Sequence, residues 1–485
     1  MEQGTTEERY TRLVMLLVIL AVFLVLPLRI IGYGYMPIDD ALRHSAFAMG
    51  NRSWGDLILL DPRFPAWMDV HPGWHVFLRA VHDLTQWDQG TLVTLSVVMA
   101  FWVFTFTGVI ASSNAPAWIL GCTLVALLEP GLLGKLLLGR PLFFSMTAVM
   151  ALLFLWTRPR PLRLPHEIGV VALVLGVSLY MHPSSWYLWL IALPPLVACR
   201  CWRAIGTLAA GWGIALAATC LLNGWYNAIV LPIDVLRLAL LEGGAPVPLL
   251  ATELQPTGAP MLGLMGMAVT LIARRAAGHD VRHAVQAVDF AFVVTAWIAG
   301  LYVGRFWVEW GLPAMAVWFT RQLAESLEIG FVGGTLQRRT AGMVGISAVV
   351  LYLSQSADLG GRYSNTLRNP LMTAPVSEFV SDLPDPGGIL YSPDMGTFYT
   401  IFHRIPTLQF RFSTAMEPGL MPAADLKVLR AIQSSNLSMV REYQPWFDKM
   451  TMADRVMIRS ATEPEWPGLV FKRFYGAWIG HKAKP

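Results

Sequence analysis

The chain has 485 residues, of which 55% are hydrophobic and only 14% charged, with a formal net charge of +4. A soluble fold has no interior for so much apolar side chain, so an ordinary soluble enzyme is excluded and a polytopic α-helical membrane protein is implied. Nucleic acid is set aside as a partner, because a small basic surplus is what a multi-pass protein collects in its cytoplasmic loops.

Apolar stretches of spanning or near-spanning length recur at 13–31, 91–111, 116–134, 141–156, 167–181, 184–199, 203–222, 259–273, 286–303, 308–320 and 340–355. They predict about eleven transmembrane helices. The first is followed by many others, so it is expected to be a retained anchor and not a cleaved signal peptide. With the N-terminus in the cytoplasm, the loops carrying Arg158, Arg160 and Arg163, then Arg200 and Arg203, then Arg274, Arg275 and Arg282, then Arg321, Arg338 and Arg339 all fall inside. That is the positive-inside pattern of a cell (inner) membrane protein. The outer, periplasmic face then receives the loop 32–90, the turns around Arg140, His182 and Arg305, the segment 223–259 and the C-terminal tail. Spans 259–273 and 308–320 are short for a bilayer, which leaves room for a re-entrant pair.

The chain therefore divides into a transmembrane part, 1–355, with a long first outer loop, and an outer domain, 356–485. In the loop, 40–50 reads as a helix and 73–84 as an amphipathic helix lying at the membrane surface. Beyond 355 the span-length apolar runs stop, and the pattern predicts a small α/β domain with strands at 389–392 and 407–412 and helices at 394–403 and 425–433. Cys122, Cys199, Cys201 and Cys220 all lie in or beside apolar segments, so neither a disulfide framework nor cysteine chemistry is expected. The absence of an internal repeat disfavours transporters built from duplicated halves.

Three groups of residues could carry chemistry. Asp39 and Asp40 stand side by side just after the first span, within Gly34-Tyr35-Met36-Pro37-Ile38-Asp39-Asp40-Ala41-Leu42-Arg43-His44. Two adjacent carboxylates repel one another, which makes either a base for a hydroxyl proton or a pair for a divalent cation. The same residues also suit a helix start, where Asp satisfies orphan N–H groups. His71 and His75 are four apart in Asp69-Val70-His71-Pro72-Gly73-Trp74-His75, a spacing that permits a metal pair; Pro72 and Gly73 place His71 ahead of the helix and favour a structural or lipid-facing role. The third group gathers at outer span ends: Glu129, Lys135, Arg140, His182, Arg305 and Glu309. Ionisable residues at such depth face a protein-lined cavity, and guanidinium groups there suit a phosphate. Snorkelling accounts for Lys135 or Arg305 singly, but less easily for the whole group on one side.

These residues resemble the membrane glycosyltransferases of the GT-C fold, particularly the protein-mannosyltransferase and lipid A aminoarabinose-transferase branch. That family carries an acidic pair in the first outer loop, matched by Asp39-Asp40. It also carries a Lys- or His-Pro segment entering an amphipathic helix, matched by His71-Pro72-Gly73-Trp74-His75-Val76-Phe77-Leu78, and an Arg followed by aromatics, matched by Gly139-Arg140-Pro141-Leu142-Phe143-Phe144. It departs where the family often has an acid a few positions on, which is Ser145 or a neighbour here. The resemblance implies a polyprenyl-phosphate sugar donor and a lipid-linked glycan or protein acceptor, with Asp39 or Asp40 as base and Arg140, His182 or Arg305 at the departing phosphate. Arg43, His71, His75, Glu129, Lys135 and Glu309 would complete the cavity. A lipid or small-molecule transporter or flippase is the rival reading. It should carry ionisable residues along several spans, whereas here the central thirds of the spans are nearly free of charge apart from Glu129. A non-catalytic scaffold or sensor is the third.

Overall fold

The computed structural model describes residues 23–37, 39–50, 52–112, 114–240, 261–330, 334–414, 417–435 and 440–483. The beginning of the expected first span, 13–22, and most of the expected outer segment 223–259 from residue 241 onward lie outside the described residues. Two compact units emerge: Met1–Tyr33 with Thr94–Gly224 and Ala251–Tyr363, and Gly34–Val93 with Trp225–Leu250 and Ser364–Pro485.

The first unit is helical. Among the described residues, Gln89–Ala111, Leu164–Met181 and Trp202–Asn223 are long and apolar enough to cross a membrane. A fourth candidate, Ala115–Leu128 with Gly131–Leu137, is bent by 97° at its break, where Pro130 has no N–H to continue the ladder. Phe23–Gly32, Leu142–Trp156, Val288–Gly300 and Gly345–Ser356 are apolar but shorter. The segment expected as a span at 184–199 is helical but not one α-helix: it is a ten-residue 3-10 helix, Pro183–Ala192, followed by a short α-helix, Leu193–Ala198. Pro183, Pro194 and Pro195 donate no backbone hydrogen bond, so no continuous α-ladder can run through the segment. The expected span at 308–320 opens with a π-turn, Trp307–Gly311, before the helix Leu312–Gly330. Small residues let these helices close up: a Cβ on Gly121 would stand 2.9 Å from the backbone nitrogen of Thr320, and one on Gly108 would enter the Trp118 ring.

The second unit joins three stretches that are far apart in sequence. Its sheet has the order β2-β1-β3-β5-β4, with β1 Ile389–Tyr391, β2 Arg411–Phe412, β3 Arg455–Ile458, β4 Leu469–Phe474 and β5 Ala477–Lys482. β2, β1 and β3 run parallel, and β5 is antiparallel to β3 and β4. The helices Met395–Arg404 and Ala423–Ser434 lie where the sequence pattern expects them. The loop helices are also as expected, Asp40–Met49 and Pro72–Thr85. The loop 32–90 shares its core with the C-terminal residues: Phe47, Trp54, Leu57 and Ile58 belong to one apolar cluster with Phe398, Phe402, Phe412 and Phe474, and Ile58 forms a parallel bridge to Phe412 in β2.

Candidate functional site

In the second unit, the helix Asp40–Met49 carries the acidic pair at its start. Asp39 is the N-cap, in extended conformation, and its Oδ1 accepts from the Asp40 backbone N–H at 2.6 Å. Asp40 points its carboxylate at Arg43, one turn on, which donates from Nε at 2.8 Å. Arg43 is only 3% exposed and its guanidinium also lies 5.7 Å from the centre of the Trp54 ring. Burial alone would push the Arg43 guanidinium down; the Asp40 carboxylate, helped by Tyr399 and Glu417, outweighs it and holds the pKa above its ordinary value. The acidic pair thus has two different jobs locally, a cap at Asp39 and an ion pair at Asp40. The cation beside Asp40 is a guanidinium, and among the described residues no group of three His, Cys, Asp or Glu side chains is placed to hold a metal ion.

The histidine segment assembles around the same helix. His71 precedes the helix as its N-cap, with Pro72 opening it. His75 is buried and not lipid-facing. Its Nδ1 lies 2.7 Å from Asp69 Oδ2, and its Nε2 lies 2.7 Å from Nδ1 of His44. The Asp69 carboxylate accepts, so His75 Nδ1 carries a proton and donates to it, and His75 Nε2 and His44 Nδ1 share a second hydrogen bond. Asp69 is held in turn, its backbone N–H donating to Asn227 Oδ1 at 3.0 Å. The His71 ring stands 5.1 Å from that of His44 and 6.5 Å from that of His75. Asp39, Asp40, Arg43, His71 and His75 are therefore brought together, on and beside one helix. His44 is the member that sequence reasoning passed over, although its place one turn after Asp40 on a predicted helix was a usable signal.

In the first unit, a second cluster forms at the π-turn. Arg305 donates from Nε to Glu309, which is completely buried, and from its terminal nitrogen to His182 Nε2 at 2.9 Å. A guanidinium has no acceptor, so Nε2 of His182 accepts and its neutral ring carries the proton on Nδ1, which lies 3.0 Å from Ser145 Oγ. Ser184 Oγ is 2.9 Å from the same Nε2. The π-turn owes its room to Gly311, where a Cβ would stand 2.3 Å from the Trp307 ring; such insertions favour functional positions because they re-aim one turn of side chains. Ser145, in the stretch where the resemblance implies an acid at Ser145 or a neighbour, is the partner of His182.

The other three expected members belong to the same unit, and Glu129 also accepts a hydrogen bond from the Trp307 side chain at the π-turn. Arg140 follows the left-handed turn at Gly139 (φ +59°), where a Cβ would press on the Val97 backbone, and it precedes the helix Leu142–Trp156 that carries Ser145. Lys135 sits in the helix Gly131–Leu137. Glu129 caps a helix, its Oε1 accepting from the Gly263 backbone N–H at 2.9 Å.

No protein-family model matches the chain, and no curated protein matches it. Solved structures do. ArnT from Cupriavidus metallidurans, a lipid A aminoarabinose transferase, aligns in its apo state with a TM-score of 0.57 and 13% identity over 98% of both chains. The same protein bound to undecaprenyl phosphate aligns with a TM-score of 0.54 and 12% identity over 96% of this chain and 97% of that one. An Archaeoglobus fulgidus oligosaccharyltransferase in the apo form aligns at 0.49 with 10% identity, over 93% of this chain and 69% of that one. The end-to-end match to ArnT shows that this membrane-embedded chain has the GT-C fold.

Proposed function

We propose that this chain is a GT-C glycosyltransferase that moves a sugar from a polyprenyl-phosphate carrier to an acceptor hydroxyl at the outer face of the membrane. The observation that carries the reading is the carboxylate pair at the start of the helix Asp40–Met49, in a fold shared with ArnT, a protein whose structure is known with undecaprenyl phosphate bound. Asp39 is assigned the base, because Asp40 holds the Arg43 guanidinium. Asp39 would take the proton of the acceptor hydroxyl as its oxygen attacks the anomeric carbon, and the bond from that carbon to the donor phosphate oxygen would break with inversion. The electron pair leaves on the polyprenyl phosphate. For the donor phosphate we propose Arg140 and Arg305, the latter held by Glu309 and His182, as the resemblance to the GT-C transferases implies.

We further propose that the N-terminus is cytoplasmic, that about eleven spans cross the inner membrane within 1–355, and that 32–90 and 356–485 lie outside. A reporter enzyme active only in the cytoplasm, fused after Pro485 and found active, overturns this topology. For the chemistry, purified protein is incubated with a polyprenyl-phosphate sugar and membrane lipid acceptors, and released polyprenyl phosphate is measured. Release that depends on Asp39 supports the transferase. Transbilayer movement of an intact donor without release supports a flippase instead.

A further inference from the structure

The helical unit contains a cavity of about 560 Å³ that no part of the transfer mechanism uses. It collects the ends of several helices. Ser112 follows the helix Gln89–Ala111, Asn114 caps the helix Ala115–Leu128, Arg158 and Arg160 follow the helix Leu142–Trp156, and Arg321 and Glu325 come from the helix Leu312–Gly330.

The charges in this cavity are unevenly matched. Arg321 is held by the buried carboxylate of Asp289, at 2.9 and 3.1 Å, and Glu325 is held by Arg274 at 2.6 Å. Arg158 and Arg160 are exposed and make no ion pair among the described residues. At the wall, the Ser112 hydroxyl is 8% exposed by residue and has no hydrogen-bond partner among the described residues. Leaving a buried hydroxyl unsatisfied costs roughly 1–3 kcal/mol, which a polar ligand atom reaching Ser112 would recover. Two guanidinium groups beside a hydroxyl donor recognise an oxyanion with several acceptor oxygens.

We infer that this cavity is a binding site for a phosphate-bearing anion, distinct in position from the residues assigned to sugar transfer. The phosphate would be either the headgroup of an anionic phospholipid or a soluble phosphate compound. In the orientation given by the arginine-rich loops, the cavity opens on the cytoplasmic side, where an anionic leaflet presents such headgroups.

The full chain, purified in detergent, is exposed to phosphatidylglycerol or phosphatidylcholine and the bound lipid is read by native mass spectrometry; inorganic phosphate is titrated in parallel with melting temperature as the readout. The expected result is at least about tenfold tighter retention of phosphatidylglycerol in the wild type. That preference should be lost in the R158Q/R160Q variant and reduced about threefold in S112A. Arg158 and Arg160 are exposed, so the double variant should melt as the wild type does. If inorganic phosphate raises the melting temperature of the wild type but not of R158Q/R160Q, while neither lipid is preferred, the ligand is a soluble phosphate. Equal retention of both lipids with no effect of phosphate overturns the site, and so does any preference that survives unchanged in R158Q/R160Q.

Discussion

Substituting each carboxylate of the acidic pair by Asn should separate two properties that adjacent identical residues would not be expected to separate. Asp40 is 16% exposed and faces Arg43, which is 3% exposed. Removing one partner of a fully buried pair costs about 3–5 kcal/mol because the other charge is left uncompensated. Partial exposure of Asp40 and the Trp54 ring over the guanidinium reduce this, so Asp40→Asn should destabilise the unit by about 2–3 kcal/mol. For a unit of this size that is a fall in melting temperature of about 4–12 °C. The double variant Asp40→Asn with Arg43→Met should regain most of the loss, since it removes the stranded charge as well. Asp39→Asn should behave in the opposite way. Asn caps a helix about as well as Asp, so melting should be nearly unchanged, while sugar transfer should fall by roughly 10²–10⁴-fold for want of a proton acceptor. Thermal melts of the detergent-solubilised variants and initial rates with a polyprenyl-phosphate sugar give both readouts. Full activity in Asp39→Asn would refute the assignment of the base, and wild-type melting of Asp40→Asn would refute the structural role of its pair with Arg43.

Three further outcomes follow from the geometry. Arg305→Lys keeps a charge but cannot hold Glu309 and His182 at once, so donor use should fall by about 10²–10³-fold; unchanged initial rates across a donor titration would remove Arg305 from the phosphate site. His75→Leu deprives Asp69 and His44 of a shared buried partner, so a stability loss of about 2 kcal/mol is expected, read as a lower melting temperature; a melt within 1 °C (about 0.3 kcal/mol) of wild type would contradict it. Burial depresses the His403 imidazole to about 4. The unfolded chain therefore binds more protons than the folded one between about pH 6.5 and pH 4. Stability from this residue is complete above pH 6.5 and is lost as pH falls to 4, by about 3 kcal/mol; His403→Gln should flatten the melting curve over that range, and an unchanged pH slope in the variant would refute the attribution.

Much of the fold could be read from the chain because apolar period and capping chemistry are local. Asp39 and Pro72 marked the starts of the two loop helices, and Asp394 marked that of Met395–Arg404. What was illegible depended on partners distant in sequence. A strand was expected at 407–412, but its extent was not legible: β2 has only two residues, Arg411–Phe412, flanked by β1 and Ile58. The β4–β5 hairpin went unread because Tyr475-Gly476 supplies the two positive φ values in place of an Asn-Gly signal, and because Lys472, Arg473 and His481 interrupt the apolar alternation. In the candidate site, residue types were legible and pairings were not. Glu129 reads as an intramembrane acid, yet its carboxylate caps a helix more than a hundred residues away. The π-turn that carries Glu309, the partner of Arg305, has no period in the sequence to reveal it.

The shared core of the loop 32–90 and the C-terminal residues bears on biosynthesis. Ser45 and Arg52 find partners 358 and 356 residues later, in His403 and Leu408. At roughly 5–20 residues per second, the ribosome needs at least about 18 s to supply them. Throughout that interval Trp54, Leu57 and Ile58 have no β2 and no Phe398 or Phe402 to pack against. The nascent loop must then be shielded by lipid or by a chaperone, and a chain truncated before β1 would present the same uncovered aromatic surface permanently, as a mark for proteolysis.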